Sequence, residues 1–247
     1  MDKPNWSELL ENATREPGTL STSYRAFHNY SLGNQMLASV QCATRDILPG
    51  PIATYKTWAA KGRQVRKGEK ALALWMPITM KRENEDDTKA SFARFMFASK
   101  WFAIGQTDGE DVEIPEVPLW SREKALATLD IHMATFTKVD GNTQGYAYPS
   151  EREIAINPMA DHPLATLFHE FAHVLLHSDK IVDGETLERS LIEVEAEATA
   201  MLVMASLGHD VAESRGYIQN WYNGDTIPAV NAGRIIQAAD KILKAGA

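Results

Sequence analysis

The hydrophobic pattern of this chain changes character several times. An apolar run over residues 164–176 contains no Gly or Pro and is too long for an ordinary strand, so it predicts a buried helix. Residues 191–207 carry apolar residues and alanines at helical spacing, with Gly208 as the stop signal. Residues 5–16 read as a short amphipathic helix closed by Pro17-Gly18, and residues 24–41 as a second helical region. Residues 71–80 alternate as a strand does until Pro77 marks an edge or a bulge; residues 92–104 give a second strand. The polar tract 81–91 between them reads as a mobile hairpin loop, and the proline-spaced stretch 113–120 as an extended linker. Ser121 then caps a helix through about Leu129, and residues 145–158 give a turn and an edge strand beside the apolar helix. Residues 212–223 and 230–245 close the chain as two helices, with Trp221 and Tyr222 assigned to the core. The class is α+β: a small sheet-plus-helices domain at 1–116, then a mainly helical domain at 117–247.

The apolar helix carries chemistry. His169-Glu170-Phe-Ala-His173 is an H-E-x-x-H pattern, and residues four apart share a helix face, so two imidazoles can reach one ion. Glu170 follows the first His, where its carboxylate can act as general base toward water activated at the ion. Two incidental histidines on a core helix is the plain alternative, and the fixed spacing favours the metal. A third ligand is expected from the next helix, where Glu193, Glu195 and Glu197 interrupt an apolar surface and buried carboxylates are costly unless paired or bound. Glu193 is assigned as the ligand and Glu197 as the carboxylate orienting a ligand histidine through its far nitrogen. The reverse assignment stays open, and Glu195 is expected in solvent. His177 lies about 12 Å along the helix from His169 and is expected to close the helix end.

Of 247 residues, 44% are hydrophobic, ample for a core. No stretch approaches a membrane span, and the start lacks the basic-then-apolar pattern of a secretory leader. Cys42 is the single cysteine, which excludes an intrachain disulfide and suggests a reducing cytoplasm. The net charge of −8 is uneven: 15 Lys+Arg meet 15 Asp+Glu up to Val117, and 10 meet 18 beyond it. The acidic second half is a poor candidate for gripping phosphate.

The first half has its own candidates. Lys56, Lys61, Arg63, Arg66, Lys67 and Lys70 cluster around one acid, beside Tyr55 and Trp58. Cations can track a phosphate backbone and aromatic faces can stack bases. Trp58 reads equally as a core residue. Tyr30 is a second stacking candidate, and Asn34 and Gln35 can either bind base edges or satisfy backbone groups.

Two sets of residues together resemble the ArdC type of plasmid antirestriction protein. The resemblance rests on Asn29-Tyr30-Ser31, Asn34-Gln35, Trp58, Gly62-Arg63, Val65 to Lys70 and Gln106-Thr107. It continues in Ile154 to Pro158, the H-E-x-x-H pattern and the Glu193/Glu197 pair. It implies an N-terminal single-stranded-DNA-binding domain and a zincin-like, gluzincin-type zinc metallopeptidase domain, with one divalent ion, zinc or else manganese. It further implies protection of incoming plasmid DNA from host restriction during conjugation. The expected partners are single-stranded DNA and an unidentified protein substrate, with no membrane and a monomeric chain. Two alternatives remain: a regulatory metallopeptidase of the ImmA/IrrE type cleaving a repressor, and a non-enzymatic DNA-coating protein with a structural metal.

Overall fold

The computed structural model describes residues 4–15, 18–83, 89–114, 116–138, 140–178, 181–182, 185–186, 189–222 and 227–247. Three helices lead: α1 (Trp6–Arg15), α2 (Thr19–Phe27) and α3 (Leu32–Thr44). The helical region expected at 24–41 is therefore two helices. The break falls at residues 28–31, and the N-terminal Leu32 N–H of α3 is taken by Asp240 Oδ1 at 2.7 Å instead of by its own Ser31 side chain. A carboxylate at a helix N-terminus satisfies a free N–H and complements the helix dipole.

Strand β1 (Ile52–Thr54) runs into the short helix α4 (Tyr55–Ala60), whose cap is Thr54 Oγ1 accepting from Thr57 N at 3.3 Å. Strand β2 (Arg63–Val65) follows, then the long hairpin of β3 (Leu72–Glu83) and β4 (Lys89–Ala103). Pairing persists to Glu83↔Lys89, so the tract expected as a loop at 81–91 is largely strand backbone. Antiparallel hydrogen bonding needs no apolar side chains. The hairpin tip at 84–88 lies outside the described residues. The sheet order is β1-β4-β3, and α3 covers the β3 edge. Asn34 bonds both the N–H and the C=O of Trp75 (2.9 and 2.8 Å), and Gln41 does the same for Ala73 (both 2.9 Å). Alternate residues of an edge strand present their backbone groups outward, so two amides along one helix close what would otherwise be an open edge. A 3-10 turn at Ile104–Gln106 leads into β5 (Thr107–Gly109), which pairs with β2.

The second half contains α5 (Arg122–Leu129), capped by Ser121 as expected, then β6 (His132–Met133), β7 (Gly145–Tyr148) and β8 (Glu153–Ile156). Helix α6 (Pro163–Leu176) is the predicted apolar helix, with Pro at its first turn. The two-residue strands β9 (Ile181–Val182) and β10 (Glu185–Thr186) precede α7 (Arg189–Ser206), α8 (Ala212–Tyr222) and α9 (Ala229–Gly246). Gly208 (φ 86°) ends α7 in the left-handed conformation that the sequence reserved for it. The expected core role of Trp221 and Tyr222 falls outside the described side chains.

One hydrophobic core runs through both halves, from Leu9 and Leu10 of α1 to Ile242 and Leu243 of α9. Trp6 of α1 sits against Gly33 of α3 and Gly233 of α9, where an added Cβ would lie 3.0 and 3.6 Å from its ring. Trp120, at the end of the expected linker, is docked: its indole N–H donates to the Ile242 carbonyl (3.0 Å) and its ring meets Phe168 edge-on. The link between the halves is thus anchored to the helices that carry the site.

Candidate metal centre and nucleic-acid face

Helix α6 places His169 and His173 one turn apart, with their Nε2 atoms 3.0 Å from each other. Glu193, near the start of α7, brings Oε2 to 3.5 Å from His169 Nε2 and 3.8 Å from His173 Nε2. These are the three donors that converge among the described residues. Ligand atoms about 2.0–2.1 Å from a tetrahedral ion lie about 3.3 Å apart, so this donor set fits one ion.

The far nitrogens are held too. His169 Nδ1 faces Glu197 Oε2 at 3.2 Å, the orienting contact expected of Glu197. His173 Nδ1 faces His177 Nδ1 at 3.2 Å, and His177 Nε2 faces Glu195 Oε2 at 2.8 Å. Glu195 Oε1 in turn accepts from Asn231 Nδ2 at 2.8 Å, with Arg234 3.8 Å away. If His177 donates through Nε2 to the carboxylate, its Nδ1 accepts from His173 Nδ1–H, leaving the His173 Nε2 lone pair free for an ion.

This corrects one expectation and extends another. Glu195 is fully buried rather than solvated, because α7 packs on α9 as well as on α6, so the face carrying Glu195 meets protein. His177 is indeed the residue that ends α6, but its ring is 3% exposed and links His173 to Glu195. Spacing alone hid the chain, since it depends on Asn231 and Arg234 from the last helix.

The charges follow from this packing. Burial opposes a positive His169, but the hydrogen bonds it donates to Glu193 and Glu197 outweigh it and raise its pKa to about 9. Burial and the neighbouring His169 charge push His173 down. Without an ion, the pair therefore shares one proton. Burial also lifts the Glu170 carboxyl to about 7, against the opposing pull of His169. Burial acts upward on Glu197 too, yet hydrogen bonds from His169 and Ser214 hold it below the usual carboxylate range. Loading a divalent ion onto the histidines must expel the shared proton at any pH below about 9, so affinity should rise with pH, about tenfold per unit. Calorimetric titration in buffers of different ionisation heat reads that proton directly; an affinity flat between about pH 6 and 8 contradicts it.

The donors line a cleft of about 1100 Å³ that also includes Glu170, the backbone of β7 and Tyr217 of α8. The turn and strand expected at 145–158 are two strands separated by a turn that begins at Pro149. β8 is the centre of the order β6-β8-β7, and β7 is the edge strand beside α6. Gly145 permits that approach: a Cβ there would lie 2.6 Å from Thr166 Cγ2 and 2.9 Å from Glu170 Oε1.

The nucleic-acid candidates of the first half separate into two groups. Asn34 and Gln35 are buried; Asn34 closes the β3 edge, and Gln35 Nε2 donates to the Tyr30 carbonyl at 2.9 Å. Trp58 is 2% exposed and its indole donates to the Phe102 carbonyl (2.8 Å), so the core reading applies and its ring is not an open stacking face. Arg63 is tied to Thr107 and to the Gly109 and Glu110 carbonyls, and Arg66 to Glu69, Asp108 and the Gly105 carbonyl. Both guanidiniums brace the β2–β5 ribbon. Lys56, Lys61, Lys67 and Lys70 are exposed and in no ion pair among the described residues, and Tyr30 is half-buried. Cys42 is fully buried, which pushes its thiol up to about 11 and removes it as a nucleophile.

An α+β fold with an edge strand against an HExxH helix, a glutamate supplied by the next helix and a sheet-bearing N-terminal half defines the class. Residues 3–115 match the N-terminal domain of anti-restriction factor ArdC. The Mn(II)-bound crystal structure of antirestriction ArdC protein from plasmid R388 superposes with a TM-score of 0.58 at 20% identity, over 99% of this chain and 96% of that one. Its metal-free structure gives 0.54 at 22%, over 98% and 94%. No curated protein sequence matches. Residues 3–115 are thus similar to the ArdC N-terminal domain, and the fold throughout is that of the solved protein.

Proposed function

We propose that this chain is a cytoplasmic antirestriction protein that holds single-stranded DNA with residues 1–116 and hydrolyses a peptide bond in the cleft of residues 117–247. The two tasks share one core, so the division is of function rather than of folding unit. One observation carries the hydrolytic reading: three metal donors converge in an open cleft beside a buried carboxyl poised near neutrality. Structural zinc sites are closed by four protein ligands, whereas catalytic ones keep a position open, which favours catalysis over a purely structural ion.

His169, His173 and Glu193 would hold one divalent ion. Two imidazoles and a carboxylate suit zinc, and the manganese-bound state of the solved ArdC supports manganese as the competitor. When bound, the ion supplies Lewis-acid chemistry, polarising a carbonyl and making water more acidic. Glu170, with its pKa near 7, takes a proton from the attacking water and returns it to the leaving amine. Among the described residues β7 pairs on one side only, and its other edge offers backbone groups for an extended peptide to pair with, which would set its register in the cleft. The exposed lysines of the first half supply the phosphate contacts, and the acidic second half repels a strand from the cleft.

Glu170→Gln keeps the shape and the metal donors while removing the base. Cleavage of a mixed peptide library by the metal-loaded protein should fall by about 10²- to 10⁴-fold with metal content unchanged. Undiminished cleavage by Glu170→Gln, or none by the loaded parent, contradicts the hydrolytic reading.

A further inference from the structure

A second cavity, of about 280 Å³, lies where the α2–α3 turn meets the β1–α4 junction. Its walls are aromatic. Trp58 and Trp101 are almost fully buried beneath it, while Tyr30 is half-buried with its hydroxyl donating to the Ile52 carbonyl at 2.9 Å. That bond fixes the Tyr30 ring without covering it.

The cavity also carries an unmet polar demand. His28 Nδ1 is buried with no hydrogen-bond partner. Gln35 Oε1, Trp75 Nε1 and Arg215 Nε share that condition among the described residues, but only His28 lines either of the two cavities described here. Buried polar atoms are rarely left unpaired, so this one, on a residue of the cavity wall, points to a partner brought by a ligand. Arg25 and Lys61, both exposed, contribute cationic lining against the one carboxylate, Glu113.

A fixed aromatic face, one hydrogen-bonding atom in the wall and cations beside them match the three parts of a nucleotide: base plane, base edge and phosphate. The volume is just below that of pockets for drug-sized ligands, which admits a single base and excludes a length of peptide. We propose that this cavity takes one unstacked nucleobase of the single strand. Tyr30 supplies the stacking face, His28 Nδ1 reads the base edge, and Arg25 and Lys61 meet the flanking phosphates. This rests on the single-strand reading above and gives it a location.

The test compares two probes, an oligothymidylate and an abasic oligodeoxyribose phosphate of equal length, on the full chain. Thr57→Leu fills the cavity from the exposed face of α4, and Tyr30→Leu removes the stacking ring. Each should weaken oligothymidylate binding by about 5- to 150-fold, the range for one stacked base, while affinity for the abasic probe stays at the parent value and circular dichroism shows each variant folded. Parent-like affinity for both probes in both folded variants overturns the base pocket and leaves the single-strand reading intact. Equal weakening toward both probes also overturns it, since the loss would then lie in backbone contacts. A parent that binds neither probe overturns the single-strand reading and the pocket with it.

Discussion

His169→Ala, His173→Ala and Glu193→Ala should each leave the protein without a tightly held divalent ion. Three protein donors are the whole set that converges among the described residues, so losing one leaves two and an ion that dialysis removes. Glu193 is the informative member because its side chain is 42% exposed, so the variant should fold. Glu197→Ala and His177→Ala act one step back, through the far nitrogens of His169 and His173. They should weaken the ion by about 10- to 100-fold, as losses of such supporting contacts do. Metal content after dialysis and competition titration with a chelator read both effects. A fully loaded Glu193→Ala beside an empty Glu197→Ala would reverse the two assignments.

Trp58→Ala should act on stability. The ring is buried, its indole N–H is satisfied by the Phe102 carbonyl, and truncation leaves both a cavity and an unpaired carbonyl acceptor. Substitutions of this kind cost about 3–5 kcal/mol, a large share of the roughly 5–15 kcal/mol that holds a domain folded. Denaturant unfolding should therefore shift strongly, while Trp58→Phe, which keeps most of the volume, should lose much less. A folded Trp58→Ala of parental stability that has lost DNA affinity would return Trp58 to the stacking role.

The two halves of the sequence were legible to different degrees, for a physical reason. The candidate metal donors sit on regular helices, where spacing alone decides which residues share a face, so the convergence of His169, His173 and Glu193 and the contact of Glu197 with His169 could be read in advance. Elements set by local signals were equally readable: Ser121 as a cap, Gly208 as a stop and the apolar helix α6. What escaped were features that distant residues complete. The α2–α3 break is capped by Asp240, and Glu195 is buried by α9 and paired with His177. Asn34 bonds the β3 edge, and Arg63 and Arg66 brace the β2–β5 ribbon. The basic cluster had the right composition for phosphate, but its two arginines are bonded within the fold, while its lysines are exposed and in no ion pair among the described residues.

The most direct test is a crystal of the metal-loaded protein with anomalous diffraction recorded at the zinc and manganese edges. The expected result is one peak about 2.0–2.2 Å from His169 Nε2, His173 Nε2 and a Glu193 carboxylate oxygen, with Glu197 on His169 Nδ1 and a position left open to the cleft. A peak ligated by Glu197 in place of Glu193, or one seated between His177 and Glu195, would contradict it.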